Sequence, residues 1–222
     1  MLLTILLFFI SDSFCQNNSN DKILRNEIGI NFFTYLPSPK YLHFQYEKQF
    51  HCSIVNGISY KRYFDNNAIK ISINYRQVNE TQDYPENWIS ERTYKEGTLR
   101  IGYNKQIPFL KQNTIIPYLG SDLIVKIASF EGTEGGGFTG TIVTYQSEDK
   151  GFGLSPVVGF QINIAKRFSV NLETTYDLLR IQSEVKEIQN RIGVLISETN
   201  TKETDYKFIF NPLCSCAFSF RF

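Results

Sequence analysis

His43 and His51 are the only histidines of the chain, and Ser53 follows the second at short range. A nucleophilic hydroxyl beside an imidazole base could support acyl transfer or lipid hydrolysis if a carboxylate oriented the base. No motif ties either histidine to a carboxylate, so side chains without a chemical duty are the expectation and no catalytic residue is assigned. The stretch Gly132-Thr-Glu-Gly-Gly-Gly-Phe-Thr-Gly140 could cradle a phosphate, yet it lacks the Lys-Ser/Thr pair and following helix of a phosphate-binding loop. It reads as an external loop. Of the four cysteines, Cys15 falls in the N-terminal apolar run and Cys52, Cys214 and Cys216 remain. Cys214 and Cys216, two apart in an extended run, would share a face near the upper limit for a disulfide, and no histidine lies close enough to suggest a metal. No cofactor is expected.

The charged residues carry more information. Lys61, Lys70, Arg76, Arg100, Lys126 and Arg221, with Asp122, Glu173 and Asp177, all fall at positions alternating with apolar neighbours. On one inner face they make six cations against three anions, which suggests either a salt-bridged plug or a narrow path preferring anions. For the chain as a whole the charges nearly cancel, 23 Lys plus Arg against 22 Asp plus Glu. No global field recruits nucleic acid.

The elements that must position these charges are strands. Aromatics are plentiful, with 19 Phe and 13 Tyr against one Met and one Trp, which favours β-structure. Ile69, Ile71, Ile73 and Tyr75 interleave with Lys70, Ser72, Asn74 and Arg76, and the same period of two returns in Leu99 to Asn104, Leu119 to Ile127, Leu154 to Ile164 and Val170 to Leu178. At the C-terminus, Phe208, Phe210, Pro212, Cys214, Cys216, Phe218, Phe220 and Phe222 hold one parity and Asn211, Ser215, Ser219 and Arg221 the other. Eight strands are predicted, at about 27–36, 53–64, 68–78, 95–107, 115–129, 151–165, 167–184 and 205–222. Their connections alternate between tight turns near 65–67, 108–113 and 165–166 and long loops over 37–52, 79–94, 130–150 and 185–204. Such alternation fits a closed, antiparallel, up-and-down transmembrane β-barrel with one apolar face toward lipid. Closure also removes exposed sheet edges.

Residues 1–15 read as a signal peptide: an apolar run too short to span a bilayer, with Ser13 and Cys15 as the small residues of a cut after Cys15. Phe14 is bulky where lipidation at Cys15 would want a small residue. Residues 16–222 then form a single barrel domain. Trp88, Tyr84, Tyr94, Tyr35 and Tyr41 are expected in an aromatic belt at the headgroups. The apolar run Ile192-Gly-Val-Leu-Ile196 would extend a hairpin above the membrane or offer a contact surface.

Several segments resemble the small outer-membrane β-barrel domain proteins abundant in Bacteroidetes. They are Gly57-Ile-Ser-Tyr-Lys-Arg-Tyr-Phe64, Ile116-Pro-Tyr-Leu-Gly-Ser-Asp122, Gly153-Leu-Ser-Pro156 leading into Gly159, Lys166-Arg-Phe168 and Phe218-Ser-Phe-Arg-Phe222. The resemblance implies a barrel fold and an outer-membrane address, and it carries no catalytic motif onto this chain.

The functional expectation is a non-enzymatic outer-membrane barrel with a structural, adhesive or surface-binding role carried by its outer loops. It would be a monomer in contact with outer-membrane lipid, recognised by the barrel-insertion machinery through Phe218, Phe220 and Phe222, and open to an extracellular ligand at the loops. A lipid-modifying barrel enzyme would instead join His43 or His51 to a serine and an acid at the rim. A soluble secreted ligand-binding barrel would invert the parity and turn Ile69, Leu119, Phe160 and Phe218 inward.

Overall fold

A computed structural model of the chain describes residues 25–35, 51–52, 56–84, 88–107, 114–136, 140–191 and 194–222. The signal segment 1–15, His43, Tyr41 and Ser53 lie outside them, as do the side chains of Tyr35, His51, Cys52, Tyr84 and Trp88. The described residues form nine strands: β1 (Asn26–Tyr35), β2 (His51–Cys52), β3 (Gly57–Phe64), β4 (Asn67–Tyr84), β5 (Trp88–Gln106), β6 (Ile115–Gly136), β7 (Thr141–Asn163), β8 (Phe168–Arg191) and β9 (Val194–Arg221). Apart from β2, each pairs antiparallel with its successor, and β1 pairs with β9, so eight strands close into a ring. The short β2, which the sequence placed in the first loop, adds to β1 through Thr34↔Cys52 and Tyr35↔His51.

Ring closure carries a register offset. Opposed partners followed from Ile28 through Tyr60, Ile71, Ile101, Leu123, Leu154 and Leu178 arrive at Phe208 on β9, whereas Ile28 itself pairs with Phe220. Such a stagger obliges the strands to tilt and leaves an interior that side chains can fill.

The period of two sorts side chains as expected for an apolar outer wall. Ile69, Leu119, Phe160 and Phe218 are 49%, 50%, 48% and 40% exposed, and with them Ile71, Ile101, Leu123 and Leu154 form a continuous outer band. Allowing for the tilt, the band is roughly 25 Å tall, the height of a barrel's lipid-facing zone. The inverted parity required by a soluble ligand-binding barrel is not what the chain adopts. Phe218, Phe220 and Phe222 close the band beside Phe168, whose ring lies 5.6 Å from Phe218 and 5.3 Å from Phe220.

Tight turns close the lower end. Asp65, at φ 55°, takes the left-handed conformation that a short polar side chain tolerates, and Ile164 N–H bonds Phe168 O across the β7–β8 turn. At the other end the structure corrects the loop assignments over 79–94, 130–150 and 185–204. The strands run on as paired ladders to Tyr84↔Trp88, Gly136↔Thr141 and Arg191↔Val194. The Gly-rich stretch is therefore mostly the end of β6. Tyr94, Phe130 and Ser147 still face a packed interior; beyond them the segments lose the apolar alternation that marks a membrane strand and keep only their β-favouring composition. Tyr94 is also corrected: it is 8% exposed, points inward with Ala128 and Phe130, and is no belt residue. The outer aromatics at the two rims are Tyr75, Phe152 and Tyr206 above and Phe64, Tyr103 and Phe168 below.

Cys214 is corrected as well. Between Glu173↔Ser215 and Thr175↔Asn211, β9 carries two more residues than β8. This bulge turns Cys214 into the lumen, 5% exposed, while Cys216 stays on the wall; both thiols are free.

Gly159 shows how closely the interior is filled. A Cβ there would lie 2.3 Å from Tyr118 Cζ. Gly159→Val is expected to displace the Tyr118 ring and lower stability by about 1–3 kcal/mol, the range for overpacking. Gly97→Val, which meets nothing within 4 Å, should cost far less in the same urea titration.

Candidate functional site

All nine charged residues singled out in the sequence face the lumen, carried by β3 to β6, β8 and β9. Two carboxylates that sequence reading missed join them, Glu27 on β1 and Glu96 on β5, 1% and 3% exposed. Each shares the inward parity of its strand, Glu27 with Asn31 and Glu96 with Arg100, but lies at the end of the apolar alternation, beside Asn26 and between Lys95 and Gly97 respectively. Five carboxylates thus face six cations, which cuts the cationic surplus counted from the sequence from three to one.

The charges are arranged in linked groups. At the lower end Arg221 Nε donates to Glu27 Oε2 at 2.9 Å, tying the last strand to the first, and Tyr63 Oη and Asn171 Nδ2 donate to the same carboxylate at 3.0 and 2.9 Å. Above it, Lys70 Nζ lies 2.8 Å from Asp122 Oδ2 and 2.9 Å from Glu173 Oε2. Glu173 also accepts from Tyr118 Oη at 2.9 Å and has Lys61 Nζ at 3.5 Å. Next, Arg100 grips Asp177 with two bonds of 3.2 and 2.8 Å, and Ser155 and Asn211 complete that carboxylate at 2.6 and 3.0 Å. Highest, Glu96 accepts from Arg76 at 3.1 Å, pairs Lys126 at 2.9 Å and takes the Tyr94 hydroxyl. Ile124, Leu179 and Ile181 pack an apolar wall beside these upper groups.

Chemically this is a plug. Every carboxylate has a cationic partner, as burial of charge demands. The cavities beside Cys214 measure only about 10 and 20 Å³, room for about one water each. No group of three or more His, Cys, Asp or Glu among the described residues could hold a metal. The protein inserted in a planar bilayer should give no stepwise conductance above the bare membrane; steady anion or cation steps would show an open path through the network.

The other concavity lies on the projecting sheet. Thr93 and Lys95 of β5, Ser129 and Glu131 of β6, Gln146 and Glu148 of β7, Glu184 and Lys186 of β8 and Asn200 of β9 surround a cavity of about 440 Å³. These nine side chains have the parity of the outer wall, and the buried Phe130 and Ser147, of the opposite parity, also border the cavity. One cavity touched by five successive strands on one face requires that face to be concave. Two cross-strand ion pairs flank it, Lys186–Glu198 at 2.7 Å and Lys202–Glu184 at 3.0 Å. The hydrogen bond from Lys202 holds the Glu184 carboxyl below its ordinary pKa.

No protein-family model and no curated protein matches the sequence. Among solved structures, the chain is similar to the NMR solution structure of outer membrane protein W of E. coli, at 12% identity and a TM-score of 0.45, over 89% of this chain and 97% of that one.

Proposed function

We propose that the protein is a non-enzymatic outer-membrane barrel, exported by its N-terminal segment 1–15, whose plugged body anchors a projecting sheet that binds at the cell surface. The observation that supports this reading is the mismatch between band and strand length. On β8 and β9 the ladder continues beyond Arg180↔Tyr206 to Arg191↔Val194, roughly 25 Å above the apolar band at the tilt of such barrels. A barrel serving only as a conduit or wall needs no such ladder, and its exposed tip residues Val194, Leu195 and Ile196, at 67%, 56% and 54%, suit contact with a surface ligand. Phe218, Phe220 and Phe222 would be read by the insertion machinery, and the barrel would work as a monomer.

The test combines topology with loss of the sheet. An epitope placed after Arg191 should be reached by antibody on intact cells, whereas one placed after Asn66 should require permeabilisation. Replacing 183–203 by an Asn-Gly turn should leave a heat-shifted barrel but reduce adherence of expressing cells to the level of cells without the protein. Full adherence by the shortened barrel would overturn the surface-binding role.

A further inference from the structure

We infer that the concave face of the projecting sheet binds an amine-and-phosphate lipid headgroup of the phosphoethanolamine type. This deepens the surface-binding role and rests on the membrane placement given above.

The position of the cavity points to lipid. Lys95 and Ser129 occupy the first polar row above Gly97 and Ile127 on the outer wall, so the floor of the cavity meets the top of the apolar band. The next row, Thr93, Glu131, Gln146, Lys186 and Asn200, rises above it. A molecule seated there has headgroup at the polar rows and acyl chains against Ile127 and Phe152, which are 59% and 58% exposed. The volume of about 440 Å³ is of the size that holds small ligands.

The charge pattern narrows the headgroup. Lys186 and Lys202 are each matched to a glutamate at 2.7 and 3.0 Å. Lys95 has no ion-pair partner among the described residues. Glu131 accepts only a long bond from Gln146, 3.4 Å, and Glu148 has Lys150 no nearer than 4.0 Å, with both of those side chains about 70% exposed. One unmatched cation therefore stands one strand from Glu131 and two strands from Glu148, both weakly held. A purely anionic headgroup would satisfy Lys95 and be repelled by Glu131 and Glu148. A headgroup with phosphate and a primary ammonium satisfies both signs: Lys95 and the Ser129 hydroxyl donate to phosphate, while Glu131 and Glu148 accept from the ammonium. Methylation of that nitrogen removes its N–H donors, so the site should distinguish ethanolamine from choline.

The experiment presents the folded, heat-shifted protein in detergent with equal amounts of phosphatidylethanolamine, phosphatidylcholine and phosphatidylglycerol, and counts retained lipid by native mass spectrometry. Phosphatidylethanolamine should be kept on the order of ten-fold over either competitor, the size of one hydrogen bond to a charged group. Lys95→Glu should remove the preference, and Glu131→Gln/Glu148→Gln should shift it toward phosphatidylglycerol, an inversion that a merely structural role for these residues would not produce. Equal retention of the three lipids by the folded wild type, or indifference to Lys95→Glu, would overturn the inference and leave the membrane placement standing. A protein that never gives a heat-shifted barrel would overturn both.

Discussion

Lys70→Met is expected to cost about 3–5 kcal/mol of folding stability, the range for removing one partner of a buried ion pair. Lys70 is 1% exposed and Asp122 is fully enclosed at 0%. Its ammonium contacts Asp122 at 2.8 Å and Glu173 at 2.9 Å. Without it, Glu173 keeps Lys61 at 3.5 Å and Tyr118 at 2.9 Å, but Asp122 is left with Arg100 at 4.0 Å. Solvent cannot take over, because the nearby cavity holds about 10 Å³. The loss should appear as a lower urea midpoint for the loss of the heat-shifted gel species. Adding Asp122→Asn to Lys70→Met should restore much of it by removing the orphaned charge. If the single variant matched wild type, the network would not be holding the wall together.

The second large effect is expected on the opposite face. Leu123, 61% exposed, sits in the middle of the outer band between Ile101 and Leu154. An arginine at the midplane of a lipid-facing wall costs roughly 2–4 kcal/mol, whereas the same change on a water-exposed surface usually stays within about 0.5 kcal/mol. Leu123→Arg should therefore weaken folding into vesicles by at least ten-fold in the equilibrium constant, while Glu148→Arg, on the projecting sheet, should change it little. Equal effects at the two positions would place both in water.

The contrast between these faces explains what could be read from the sequence. Where one wall is an exposed apolar band and the other a packed polar lumen, the period of two marks the face of each residue. Ile69 to Arg76 and Leu119 to Ile127 announce strand, face and neighbouring charge together. Over Gln182 to Arg191 neither face is buried, alternation stops being selected, and the segment resembles a loop although it is paired throughout. Glu96 and Glu27 lie where the pattern fades, so the alternation identifies all six cations of the lumen but only three of its five carboxylates. Cys214 could not be placed by parity at all, because a bulge is a local irregularity that a fixed period cannot contain. The cavity under Lys95 depends on how the sheet curves, which no one-dimensional pattern states. His43 and Ser53 fall outside the described residues.

The proposed function requires the outer parity to face lipid. The most direct measurement is fractionation of cells expressing the full chain, followed by gel electrophoresis of boiled and unboiled samples in detergent. Recovery with the outer membrane, in a form whose mobility shifts on boiling, is the predicted result. Recovery as a soluble protein with the same mobility before and after boiling would contradict it, and would leave the exposed band of isoleucine, leucine and phenylalanine in need of another partner.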